Sequence, residues 1–79
     1  MSQQATGSDP ALKKLVNVMG EARASVLIEE TLRRIGRASL DSPEARYRFG
    51  VELMKHGGVL ESIGRSIKIQ AILLGAKET

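Results

Sequence analysis

No cysteine occurs anywhere in the 79 residues. That excludes disulfides and thiolate metal sites. One histidine, His56, excludes a multi-histidine metal site. Tryptophan is absent, and Tyr47 and Phe49 are the only aromatic residues. Apolar runs are short. The longest is Ala71 to Leu74, far below the roughly 20 residues of a membrane-spanning helix. No membrane association is expected. Met1 to Asp9 is polar, with neither a basic nor an apolar region of the secretory type, so no secretory signal is expected there. The lack of cysteine suits a reducing compartment, and a cytoplasmic location is the expectation.

Charge is nearly balanced. Twelve Lys and Arg face nine Asp and Glu, a net +3. That is too mild for a protein that coats DNA, yet it leaves room for one local anion site. The length bounds the fold to a single domain. A chain of this size buries only about 60% of its unfolded surface. Small folds are often supported by disulfides, metals or partners. Composition removes the first support and weakens the second, so oligomerisation is the one expected.

"MSQQATGS" is polar and reads as a flexible arm, residues 1–8. A single helical domain is expected over 9–76, with a short tail at 77–79. Ser8 or Asp9 followed by Pro10 marks a helix start. Leu12, Leu15, Val16 and Met19 then share one face. "EARASVLIEETLRRI" carries a second stripe of Ala24, Leu27, Ile28, Thr31, Leu32 and Ile35. At about 100° per residue the two stripes lie nearly opposite each other on an unbroken helix. A 3-4-3-4 seam of Leu12, Leu15, Met19, Ala22 and Val26 nevertheless runs straight through Gly20. No turn cluster flanks that glycine, so one continuous helix is favoured over a break. Gly36 is expected to end it.

Ser42 and Pro43 mark the next start, with Glu44 in the first turn. This helix is expected to end at Gly57-Gly58. Its wide apolar arc predicts burial on several sides. The closing segment fits a helical period better than an alternating one, and no second strand is available to pair with it. Leu60, Ile63, Gly64, Ile67, Ala71 and Leu74 form its main stripe. Ile69, Ile72 and Leu73 lie off that stripe and predict an exposed apolar patch. Gly64, inside the stripe, reads as a notch for close helix approach.

The fold expected is therefore all-α: a small bundle of three helices, or four if the first breaks at Gly20, completed by oligomerisation. Catalysis is not expected. His56 sits at a helix C-terminus, where the helix dipole accounts for it. No serine has a nucleophile-elbow context, and no carboxylate pair is expected to share a pocket. Neither phosphate-loop spacing is present, so no cofactor is expected either. The function expected is a non-enzymatic protein–protein assembly module, a self-associating dimer or one that docks on a protein partner. Its interface would use Leu15, Met19, Val26, Gly64, Ile69, Ile72 and Leu73. The alternative is nucleic-acid or polyanion binding by the arginines of residues 33–48, above all Arg37, Arg46 and Arg48. Arg33 and Arg34 read as a solvated helix face, since Glu29 and Glu30 stand four residues before them. A helix-turn-helix is disfavoured: the Gly36–Ser42 connection is too long, and Leu53 and Met54 stand where a small residue belongs.

Overall fold

The computed structural model describes residues 10–76. The arm at 1–8, the cap expected at Ser8 or Asp9 and the tail at 77–79 lie outside the described residues. Those described form α1 (Pro10–Met19), α2 (Glu21–Ile35), α3 (Pro43–Met54) and α4 (Gly58–Leu73), with no strand among them.

The continuous first helix does not occur. The chain breaks at Gly20, whose φ of 87° and ψ of 157° belong to a region only glycine enters cheaply. Its N–H still closes α1 on the Val16 carbonyl at 2.8 Å, and its own carbonyl accepts from Ala24 at 3.0 Å. One residue therefore makes the corner while keeping both of its backbone hydrogen bonds. The reason for the break is packing. The α1 and α2 stripes lie nearly opposite on a straight helix, and the corner turns both toward one core. Leu12 and Leu15 are buried, as are Ala24, Leu27, Ile28 and Thr31. The rival seam is split: Ala22 and Val26 are left exposed.

Thr31 is the one buried polar residue among those described. Its hydroxyl donates to the Leu27 carbonyl at 2.6 Å, which removes the cost of burying it. Helix α2 ends in a Schellman motif. Arg37 N–H reaches the Leu32 carbonyl and Gly36 N–H reaches Arg33, at 3.0 and 3.1 Å. Helix α3 starts as expected, with the Ser42 hydroxyl accepting from Ala45 N–H at 3.1 Å.

Backbone contacts run round a ring. Each helix packs on its chain neighbours and α1 closes back on α4, with no diagonal pair in backbone contact. The α3–α4 pair is the most extensive. Two glycines explain it. Gly50 of α3 and Gly64 of α4 face each other, and an added Cβ on either would lie 2.5–2.6 Å from the other's carbonyl oxygen. The two backbones touch directly. Phe49, Leu53, Leu15, Ile63 and Ile67 fill the core beside this crossing.

Candidate interaction surface

The outer side of α4 carries the clearest surface feature. Val59, Ser62, Ser66, Ile69 and Leu73 are all exposed. Their 3-4-3-4 spacing places them on one stripe of the helix. That stripe points away from the buried set of Ile63, Gly64, Ile67 and Ala71. It contains no charged residue. Large side chains stand at its ends and two small serines in its middle. Leu73 is 80% exposed, Val59 53% and Ile69 49%.

Helix α1 borders one flank, where Lys14 and Val18 line a groove with Val59, Ser62, Ile63 and Ser66. The other flank carries Glu61, Arg65 and Lys68. Arg65 donates to Glu61 at 2.8 Å, on the solvent side.

The interface residues named from sequence separate into three places. Ile69 and Leu73 lie on the outer stripe, and Ile72 is half-buried beside it. Met19 and Val26 line a different shallow groove, between α1 and α2, with Ala22 and Leu27. Leu15 and Gly64 are not at a surface. Leu15 is fully buried in the core. Gly64 is the packing notch its position suggests, but the helix it admits is α3 of the same chain. Val59, Ser62 and Ser66 were missed. Their 3-4-3-4 spacing is present in the sequence, but the serines carry no apolar signal and Val59 stands at the very start of the helix.

The arginines also rearrange. Arg46 is half-buried, and its Nη1 donates to the Leu40 carbonyl at 3.4 Å, tying the α2–α3 loop to α3. Arg37 is exposed beyond the end of α2. Arg48 lines a cleft between α2 and α3 with Arg34, Tyr47, Glu44 and Glu52. The expected pairs Glu29–Arg33 and Glu30–Arg34 are not formed: among the described residues the ion pairs are Glu52–Lys55 and Glu61–Arg65. Arg34, read from sequence as part of a solvated face, is thus the arginine that shares a cleft with Arg48. Glu44 and Glu52 line the same cleft and offset part of that charge.

Among the described residues no group of three or more His, Asp or Glu could hold a metal ion. No helix among them is long and apolar enough to cross a membrane. No known family model, curated protein or solved structure matches this chain.

Proposed function

We propose that this chain is a non-enzymatic assembly module that self-associates through the outer face of α4. One observation carries the reading: an uncharged 3-4-3-4 stripe, with Leu73 80% exposed, on the helix that also anchors the core. Contiguous exposed apolar patches mark interaction surfaces, and Ile69 and Leu73 adjoin one turn apart on this stripe.

The magnitudes set how tight the contact is. Fully burying a Val, Leu or Ile side chain is worth about 1.5–3 kcal/mol. Val59, Ile69 and Leu73 each have roughly half of that or more still to gain, on the order of 1–2 kcal/mol apiece. Two copies together gain on the order of 6–12 kcal/mol, set against roughly 4–15 kcal/mol for losing free motion on association. The balance is a weak complex, with a Kd near or above the micromolar range, about −8 kcal/mol or less in magnitude.

The experiment compares the unaltered chain with Ile69→Glu/Leu73→Glu. Both positions are exposed, so the variant should keep its far-UV circular dichroism and thermal midpoint. Its sedimentation at high concentration should fall to that of a single copy. An unchanged mass in a folded variant would rule out this face.

A second reading is supported by Arg33, Arg34, Arg37 and Arg48, which are exposed and form no ion pair with a carboxylate among the described residues. It is binding of a nucleic-acid backbone or another polyanion. Retention on heparin that falls steeply with salt and is lost in Arg34→Ala/Arg48→Ala would support it. No retention at low salt would remove it.

A further inference from the structure

We infer that the second copy packs antiparallel on α4 about a two-fold axis passing between Ser62 and Ser66. This rests on the reading that the α4 face binds a second copy, and it adds the geometry.

The first ground is the order of side-chain sizes. Along the stripe, Val59, Ser62, Ser66 and Ile69 run large, small, small, large. These four read the same in either direction, and Leu73 extends one step beyond them at the end of α4. A two-fold contact must present one patch to itself. With the axis between the serines, Ser62 meets Ser66 of the second copy, and Val59 meets Ile69. Small residues at the crossing allow close approach, and each large residue at one end meets a large one across it. Moving the axis onto Ser66 would set Val59 over Leu73 but Ile69 over Ser62, and it would bring Arg65 level with Lys68 of the second copy, so that like charges meet.

The second ground is charge. The flank beside the stripe has Glu61 at one end and Lys68 at the other, with Arg65 between. The same axis brings Glu61 level with Lys68 of the second copy, twice over. A parallel two-fold arrangement would instead set this flank beside the opposite, α1-side flank of the second copy and form no such pairs. The uncharged stripe does not choose a direction, and the flank does.

Residues 1–9 and 77–79 are poor alternatives for covering the stripe. They supply Met1 and Ala5 as their only apolar side chains. A second copy supplies a full stripe.

The absence of cysteine makes the test direct. Ser62→Cys and Ser66→Cys are prepared separately, and both positions are exposed on a helix, where this change leaves the fold intact. Each variant alone, and an equal mixture, is oxidised with copper–phenanthroline and read on a non-reducing gel. In the expected register residues 62 and 66 lie opposite, while like positions are offset by about 6 Å along the axis. A disulfide needs Cα atoms within roughly 7 Å. The mixture should therefore form linked dimer several-fold faster than either variant alone.

Three results overturn the geometry. Faster linking of Ser66→Cys with itself places the axis on Ser66. Equal self-linking by both variants indicates parallel helices. No linking in any sample, while the unaltered chain has a dimer's mass, indicates another face. In the first two the α4 reading stands, and in the third the chain still self-associates but through a surface other than α4. A monomer's mass for the unaltered chain at high concentration removes both the geometry and the assembly reading.

Discussion

Replacing Gly64 by alanine puts a methyl group into the α3–α4 crossing. Its ideal position lies 2.5 Å from the Gly50 carbonyl oxygen, 2.9 Å from the Met54 amide nitrogen and 2.9 Å from the Leu53 Cβ. Two of these atoms are backbone and cannot rotate away. The third is a Cβ, which moves only with its own backbone. The methyl must recede by about 0.9 Å to reach the 3.4 Å at which ordinary contact begins, so one helix must shift. Forcing an extra methyl into a packed core costs about 1–3 kcal/mol, and this site belongs near the upper end. Alanine returns about 1 kcal/mol through better helix propensity. The net expectation is a loss of about 2 kcal/mol. For a domain of this size that lowers Tm by roughly 8–16 °C. The assay is thermal and urea denaturation followed by far-UV circular dichroism. Ser25→Ala on the exposed face of α2 is the control, with a gain of a few tenths of a kcal/mol expected from propensity alone. A Gly64→Ala chain as stable as that control would refute the close crossing.

Three further changes test other parts of the fold. Gly20→Ala should destabilise by about 1–3 kcal/mol, because an added Cβ meets no atom within 4 Å and the cost is backbone strain alone; a continuous helix would instead gain about 1 kcal/mol, so the sign of the change in a urea titration decides. Ser42→Ala should cost about 1 kcal/mol by removing the cap on Ala45 N–H, read from the same titration. Glu61→Gln should change monomer stability by no more than about 0.5 kcal/mol, since its pair with Arg65 is largely exposed; a larger loss would mean the pair is more protected than the fold shows.

The punctuation of the fold was legible from residues alone. Ser42-Pro43, Gly36 and the Gly57-Gly58 turn each act through local backbone chemistry, and each stands where expected. The buried stripes of α2 and α4 were legible too, because helical period depends only on spacing. Gly20 was not. Its seam with Ala22 and Val26 is a valid pattern on a straight helix, and only the location of the core decides between the two stripes. The Gly50–Gly64 contact was half visible. A glycine in a buried stripe announces close approach, but its partner glycine lies on another helix, and the pairing is a tertiary fact. Leu15 shows the same limit from the other direction, since its place in a seam says nothing about which body the seam meets. The arginines failed for an electrostatic reason. Spacing of four allows Glu29–Arg33 and Glu30–Arg34 to pair but gives each pair only a few tenths of a kcal/mol, too little to hold long exposed side chains together.

The most direct test is the mass of the unaltered chain in solution, by light scattering, from roughly 10 µM to 1 mM, the range that brackets a weak complex. A mass that climbs with concentration from 8.6 kDa toward twice that value is the result expected if α4 is shared between two copies. A constant 8.6 kDa across the whole range would contradict it.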